Sequence, residues 1–369
     1  MKTKPVDKFL LIITISAFIC GFTKANERQE TKNLAADPWK VIQLNTKASL
    51  RGLHVFSEST IWASGTGGTI AHSTDAGKTW DICVVPGAEE LDFRDIHAIN
   101  SQTIVAMTSG TPACVYRSTD GGSNWRRVYE NKDEKIFLDA LSFFNQKEGI
   151  IMGDPIDGKI FLLKTSDGGN SWKPTDNSPE TLPGEAGFAA SGTNMITTAD
   201  SNIFIALGGA LKDEVSETSR IAISQDAGKQ WAMANVPIPR GPSSGMFSVC
   251  FFNQKCGVVV GGNYTLADNE THNYAVSSDG GITWIIPKGA KPPSGYRSCV
   301  TRARHRGLPC AVTVGPGGTD ISFDLGHTWK RISETGFHSI QFSPKGNQGW
   351  ASGSDGRIGL WQQPDNEQK

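Results

Sequence analysis

The sequence predicts an all-β protein, a seven-bladed β-propeller with four-stranded antiparallel blades. Three observations predict it. A short phrase ending in tryptophan recurs six times, short apolar segments fill the intervals, and 41 glycines stand among 369 residues without a long amphipathic helical run. The copies are 45 to 59 residues apart and end at Trp80, Trp125, Trp172, Trp231, Trp284 and Trp329. Such a period is typical of propeller blades.

Each repeat divides into four strands, named a to d from the central channel outward. In the first repeat LRGLHVF is strand a, TIWASG is b, TIAHST is c and WDICVVP is d. In the third, FLDALSFF, GIIMGD, KIFLLKT and WKPT take the same roles. The apolar alternation of strands b and c supplies the predicted core.

The two ends of the chain predict the seventh blade. Residues 337–363 contain FHSIQFS, QGWASG and RIGLWQQ, which are strands a, b and c without a d strand. Residues 38–44, PWKVIQL, form the missing d strand, with Trp39 in the place of the repeated tryptophan. Closure by both ends leaves no exposed sheet edge. We therefore expect one propeller over 37–363, after a flexible segment (26–36) and before a short tail (364–369).

The N-terminus is a signal peptide by composition. Three lysines precede an apolar run, residues 9–22, and small residues follow up to Ala25. We expect cleavage after residue 25, an exported protein in the periplasm or outside the cell, and no membrane span in the mature chain. We expect no lipid anchor at Cys20, because Ile19 is a poor residue before a lipidated cysteine.

Charge and cysteines limit the function classes. The net charge is −1, so nothing indicates a nucleic-acid groove. No histidine or cysteine spacing indicates a metal, and we expect no cofactor. Six cysteines follow the signal peptide, an even number that permits disulfides in an exported chain. We predict disulfides across two a–b hairpins, Cys250–Cys256 and Cys299–Cys310, with buried free thiols as the alternative. The remaining cysteines, Cys83 and Cys114, would form a third pair.

The repeated phrase reads Ser/Thr-x-Asp-x-Gly-x-x-Trp and lies between strands c and d. The aspartate can accept hydrogen bonds from its own turn, the glycine permits a positive φ, and the tryptophan can bury a ring between blades. We interpret the phrase as structural rather than as six binding sites. Its aspartates are Asp75, Asp120, Asp167, Asp226, Asp279 and Asp324.

The phrase resembles the Asp box, or BNR repeat, of the sialidase superfamily. The chain after the signal peptide is similar to exported photosystem II stability/assembly-factor-like proteins, which are often labelled oxidoreductases or glycosyl hydrolases. That closer resemblance rests on GDPIDGKIFLLKTSDGG (153–169), GEAGFAASGT (184–193), SGMFSVCFF (244–252), GYRSCV (295–300), GPGGTDIS (315–322) and GFHSIQFS (336–343). It implies a propeller whose role is binding or assembly.

The ligand site is predicted at the top face, where strands a begin and the d–a and b–c loops gather. The Asp boxes lie at the other end, where we expect no chemistry. A mix of arginines, a tyrosine and carboxylates suits an anionic or hydroxyl-rich ligand. The predicted ligand-binding residues are Arg51, Arg94, Asp139, Asp154, Glu185, Ser191, Tyr264, Tyr296, Arg297 and His338.

We therefore expect a binding or assembly module that presents its top face to a protein or a glycan. The alternative is a sialidase-like glycoside hydrolase. Its arginine clamp, nucleophile pair and acid would be Arg51, Arg94 and Arg297, then Tyr296 with Glu185, then Asp154. Two observations oppose it: the sialidase Arg-Ile-Pro segment is missing, and adjacent strand residues 296 and 297 face opposite ways. A redox enzyme has only the family label in its favour, since no dinucleotide fingerprint is present.

Overall fold

A computed structural model describes residues 37–362, which form seven antiparallel sheets arranged as a β-propeller. The predicted fold class is confirmed. The predictions about the signal peptide, Cys20 and the tail concern residues 1–36 and 363–369, which lie outside the described residues. Between residues 37 and 362 no helix is long and apolar enough to cross a membrane.

The blades are numbered by the order of their a strands. Blade 1 contains β2 (Leu50–Val55), β3 (Ile61–Gly65), β4 (Thr69–Ser73) and β5 (Asp81–Val84). Blade 2 contains β6 (Asp92–Ala98), β7 (Ile104–Ser109), β8 (Ala113–Ser118) and β9 (Arg126–Asn131). Blade 3 contains β10 (Leu138–Phe143), β11 (Gly149–Ile156), β12 (Lys159–Thr165) and β13 (Lys173–Pro174). Blades 4 and 5 contain β14 (Met195–Thr197), β15 (Ile203–Ala206), β16 (Ser219–Ser224), β17 (Ala232–Val236); and β18 (Ser244–Phe251), β19 (Gly257–Asn263), β20 (Tyr274–Ser277). Blades 6 and 7 contain β21 (Cys299–His305), β22 (Leu308–Gly315), β23 (Gly318–Ser322), β24 (Lys330–Ser333); and β25 (Ser339–Phe342), β26 (Gly349–Ser352), β27 (Arg357–Trp361), β1 (Trp39–Gln43).

The seventh blade is closed as the sequence predicts. Its strand order is β25-β26-β27-β1, and Trp39 pairs with Trp361 in the antiparallel register. The Trp39 ring packs against Phe337 and Trp361 at centroid distances of 4.9 and 5.1 Å. Its indole nitrogen donates to the Thr319 hydroxyl of blade 6 at 2.9 Å. The N-terminal strand thus joins two blades as well as the two chain ends.

Blade 5 departs from the four-strand pattern at its outer edge. Its fourth strand is reduced to one bridge, in which Val276 and Ile285 exchange hydrogen bonds of 2.9 and 3.0 Å. Pro287 follows two residues later and has no N–H to continue a ladder. The phrase TWIIPKG therefore begins strand d but cannot extend it.

The apolar core lies between neighbouring blades. Between blades 1 and 2, for example, Trp62 and Ile70 pack with Phe93, Ile104 and Tyr116, all at most 4% exposed. Burial on both faces of strands b and c explains their nearly continuous apolar sequences. Because each blade shares its core with the next, no blade is stabilised on its own.

The predicted disulfides are wrong: all six cysteines between residues 37 and 362 are free thiols. Cys299 lies opposite Val314, whereas Cys310 lies opposite Ala303. The two cysteines are therefore four positions apart along the ladder, roughly 13 Å at 3.3 Å per residue, too far for a disulfide. Cys250 lies opposite Val258, two positions beyond Cys256, so its side chain does not meet that of Cys256.

Candidate functional site

The six repeated phrases form hydrogen-bonded turns. In each, the Ser or Thr hydroxyl accepts the N–H of the glycine four residues later at 2.8–3.0 Å and donates to the aspartate. The aspartate then accepts the N–H of the residue before the tryptophan. These bonds lower the pKa of Asp75 to about 2. The side chains of the turn bond to the turn itself.

The same turns also connect blades. Gly121 and Gly122 have φ angles of +68 and +88. A Cβ at Gly122 would lie 2.6 Å from the Trp62 ring of blade 1. In the same way, a Cβ at Gly77 of blade 1 would lie 2.9 Å from the Trp350 ring of blade 7. Glycine therefore serves both the backbone conformation and the close packing. This geometry agrees with a structural role for the turns.

A segment of irregular backbone, residues 186–193, crosses the channel, and we name it the plug. The a strand of blade 4 begins only at Met195, so Glu185 and the plug precede it. Glycines at 184, 187 and 192 accompany the crossing, and Gly192 has φ +73. The separation of 59 residues between Trp172 and Trp231, the longest of the five, is the sequence signal of extra chain in this blade.

The plug is bound to blades on several sides of the channel. The Ser191 hydroxyl donates to the Ser298 carbonyl of blade 6 at 2.8 Å, and the Ser339 hydroxyl of blade 7 donates to the Ser191 carbonyl at 3.4 Å. The Thr193 and Ser248 hydroxyls are 2.6 Å apart, at blade 5. A Cβ at Gly192 would meet the Asp95 carboxyl of blade 2 at 2.4 Å. The plug thus separates an upper mouth from the rest of the channel.

Two arginines lie at the upper mouth. Arg94 donates to the Ala189 carbonyl of the plug and to the Asp92 carboxylate, both at 2.7 Å, which orients its guanidinium. Arg51 lies close enough for Arg94 to disfavour its charge; burial and then Arg94 lower the pKa of Arg51. Within residues 37–362 the Arg51 guanidinium makes no hydrogen bond and no ion pair. Among residues 37–362 it is the cation at this mouth that remains available to a ligand.

His338 lies near both arginines, and Tyr296 lies near Arg51. The His338 Nε2 lies 2.9 Å from the Ser354 hydroxyl and 3.2 Å from the Ser49 hydroxyl. Burial, followed by the nearby arginines, lowers the pKa of His338 to about 3, so it is neutral at physiological pH. Burial raises the pKa of Tyr296, with Arg51 opposing the shift, and Tyr296 stays a neutral phenol.

Two carboxyl groups of blade 3 lie beside the plug, near Gly187. Asp139 is 1% exposed, and its Oδ2 has no hydrogen-bond partner among the described residues. Burial and then Asp154 raise the pKa of Asp139 well above its usual value, while Arg94 opposes the shift. Burial raises the pKa of Asp154 to about 6. At neutral pH the pair therefore retains about one proton and carries about one negative charge.

An aromatic cluster continues the site toward blades 4 and 5. Phe188 of the plug stacks on Phe247 at 4.1 Å, and Tyr296 meets Phe247 edge-on at 4.7 Å. Tyr264 lies 6.2 Å from both phenylalanines and is half exposed. The neighbouring top-face loops carry other large apolar side chains that are exposed to solvent: Leu182, Leu211, Val215 and Leu266.

Two predicted site residues lie outside the upper mouth. The Arg297 side chain is fully buried and bonds to the equally buried Asp320 at 2.6 Å, whereas its chain neighbour Tyr296 packs against Phe247. The Glu185 carboxylate accepts from Arg220 Nε at 2.9 Å and from the Leu182 N–H at 2.9 Å. Both ion pairs join parts of the propeller and are not available to a ligand.

The sialidase arrangement is therefore not assembled. Arg297 cannot join Arg51 and Arg94 in a substrate clamp because it is bonded to Asp320. Tyr296 and Glu185 do not form a nucleophile pair because the Glu185 carboxylate is bonded to Arg220. The upper mouth does unite seven of the predicted positions: Arg51, Arg94, Asp139, Asp154, Tyr264, Tyr296 and His338. Ser191 lies deeper, inside the plug. The sequence analysis did not identify Asp92 or Phe188 as site residues. The only sequence signal for Phe188 was its place in the phrase GFAA, directly after Gly187.

Comparison with known proteins supports the resemblance. The family model for the photosynthesis system II assembly factor YCF48 matches residues 31–133. A photosystem II assembly lipoprotein Ycf48 of Synechococcus sp. (strain CC9902) is 25% identical over 167 residues, 44% of this chain and 46% of that protein. The photosystem II stability/assembly factor HCF136 of Arabidopsis thaliana is 29% identical over 113 residues, 30% of this chain and 26% of that protein. The chain thus matches less than half the length of these relatives.

Among solved structures, a YCF48 bound to a D1 peptide superimposes with a TM-score of 0.62 at 16% identity. The match covers 89% of this chain and 98% of the other. At this identity the likeness concerns the fold. The Synechococcus relative is named a lipoprotein, which disagrees in part with the prediction that Cys20 carries no anchor.

Proposed function

We propose that this propeller, a relative of the YCF48-type photosystem II assembly factors, is an exported protein-binding assembly module. Its upper mouth takes an acidic group of a partner peptide. The observation that carries the proposal is the partly buried Arg51, which has no hydrogen bond or ion pair within residues 37–362, beside the oriented Arg94. A carboxylate between them would gain charge-assisted hydrogen bonds.

A protein partner is favoured over a glycan by the surroundings of the arginines. The exposed Tyr264, Leu211 and Val215 lie on the neighbouring loops, and aromatic and aliphatic side chains of this kind anchor peptides. One solved relative of the same fold is described as bound to a D1 peptide. No observation favours glycoside hydrolysis, because the catalytic pair that it needs is occupied by Arg220.

The test uses the exported protein as bait in its native envelope, followed by peptide arrays of the captured proteins and fluorescence anisotropy. Arg51→Ala and Arg94→Ala should each weaken peptide binding about tenfold or more, the loss expected for a hydrogen bond to a charged group. Arg126→Ala is the matched control, since Arg126 lies exposed on outer strand β9. The control should bind like the wild type.

Two results would contradict the proposal. One is a captured peptide whose affinity is unchanged in the Arg51→Ala/Arg94→Ala double variant. The other is a glycan array on which the wild type binds through these arginines while no peptide binds. The second result would assign the upper mouth to a glycan.

A further inference from the structure

We propose that a second site exists below the plug, a chamber that binds a small uncharged molecule carrying hydroxyl or amide groups. The chamber has a volume of about 600 Å³. Its roof is formed by residues 191–193 of the plug, and its other end is lined by hairpin-tip residues such as Asn253 and Gln254. It therefore lies toward the Asp-box end of the channel, away from the upper mouth.

One wall of the chamber is polar. His54 and His97 occupy equivalent places on the a strands of blades 1 and 2, and their rings lie 4.2 Å apart. Neither ring has a hydrogen bond to a residue between 37 and 362, so each can offer one donor and one acceptor. The Gln341 carbonyl accepts the Val55 N–H at 2.6 Å, and its amide NH₂ has no partner among the described residues.

Apolar side chains also line the chamber. They are Ile196, Val249 and Phe251 of blades 4 and 5 and Ile340 of blade 7, and Phe251 is held by stacking on Phe204 at 4.2 Å. Polar groups together with an aromatic ring are the usual composition of a small-molecule site. With roughly 30 Å³ for each water-sized group, the volume suits about ten to twenty non-hydrogen atoms.

The interior presents little fixed charge. Burial lowers the pKa of His54 to about 4 and that of His97 well below its usual value, so both rings are neutral at pH 7. The Asp95 carboxyl already accepts the N–H groups of Ile96 and Leu141, both at 2.8 Å. An ionic ligand would lose its hydration without a buried counter-charge. A neutral ligand meets no such penalty.

Arg302 and Asp200 are the charged residues at the open end of the chamber. Asp200 accepts a hydrogen bond from the Gln254 amide at 3.1 Å, which links the hairpins of blades 4 and 5. Both side chains lie at the rim, so within residues 37–362 the only carboxyl group in the interior is that of Asp95, whose pKa is raised by burial to about 7.

The test compares neutral and charged probes of similar size by saturation-transfer NMR and isothermal titration. The neutral probes are N-acetylglucosamine and N-acetylserine amide, which distinguish a sugar from a peptide-like source. The charged probes are glucosamine and glucuronate. At least one neutral probe should bind with a Kd below about 10 mM, and both charged probes should bind at least about tenfold more weakly.

Variants locate the binding. His97→Phe keeps a ring of similar size but removes the imidazole nitrogens, and it should weaken the neutral probe about fivefold or more, as for one lost hydrogen bond. Ile196→Trp should fill the chamber and abolish binding. Gln341→Leu is a second polar deletion in case the larger ring prevents folding, which thermal denaturation reports.

Arg51→Ala, at the upper mouth, should leave probe binding unchanged because Arg51 makes no hydrogen bond to the plug, so failure here is distinguishable from failure of the peptide site. The proposal is overturned if no neutral probe binds in this range, if the charged probes bind as well as the neutral ones, or if the folded His97→Phe and Gln341→Leu variants both bind like the wild type.

Discussion

At the scale of single residues, the Asp box is held mainly by its Ser or Thr. Ser118 is 1% exposed and accepts the N–H of Gly122 at 2.9 Å, while its own hydroxyl donates to Asp120 at 2.8 Å. Asp120 is exposed, and its bonds reach Asn124 at the surface. The hydroxyl is thus the buried member of the network, whose loss leaves a donor without a partner.

We predict that Ser118→Ala lowers the free energy of unfolding by about 1–3 kcal/mol, because the partly buried Gly122 N–H loses its acceptor. Ser123→Ala in the same turn should change it by less than about 0.5 kcal/mol, since Ser123 is exposed. Urea denaturation of both variants measures the difference. Equal effects would show that the buried hydroxyl has no special role.

At the scale of strands, closure depends on one short N-terminal segment. Strand β1 is largely exposed along its edge, yet Trp39 at its start is 6% exposed and reaches both Phe337 of blade 7 and Thr319 of blade 6. A strand of five residues therefore anchors the ring mostly through one side chain. For this reason Trp39 alone was enough to predict strand d of blade 7, although the N-terminal segment contains no complete repeat.

We predict that Trp39→Ala lowers the free energy of unfolding by about 3–5 kcal/mol, the usual cost of deleting a large buried ring. Deletion of residues 37–45 should lower it further. Val41→Ala in the same strand is the control, because Val41 is 47% exposed, and it should cost less than about 0.5 kcal/mol. A deletion variant that melts like the full chain would contradict closure by this strand.

At the scale of the whole molecule, the plug connects blades that the circular order keeps apart. It bonds to Arg94 of blade 2, Ser248 of blade 5, Ser298 of blade 6 and Ser339 of blade 7. One segment from blade 4 therefore braces the ring from inside. It also divides the channel into the upper mouth and the chamber, so both proposed sites depend on its position.

We predict that Gly192→Ala lowers the free energy of unfolding by about 2 kcal/mol or more. The residue has φ +73, and a Cβ would approach the Asp95 carboxyl to 2.4 Å, so backbone strain and a clash add. Gly158→Ala is matched in backbone, with φ +77 and no atom within 4 Å of its Cβ, and should cost about 1 kcal/mol. Chemical denaturation compares the two. An equal loss of free energy of unfolding in the two variants would mean that the plug can move to accommodate the added Cβ.

The sequence alone determined the number of blades, the strand order and the closure. These features repeat locally: a period near 45 residues, a turn whose side chains bond within nine positions, and a tryptophan at the start of each d strand. Local patterns of this kind require no knowledge of distant neighbours. The positions at the upper mouth followed as well, because the starts of a strands and the b–c loops meet at one end of any propeller.

Only the tertiary structure decided which of those residues remain available. Arg297 meets Asp320 and Glu185 meets Arg220 because folding brings together side chains 23 and 35 positions apart. The plug, with Ser191 bonded 148 positions away at Ser339, depends on contacts across the channel. Such pairings arise from the packing of whole blades, and no periodicity in the sequence encodes them.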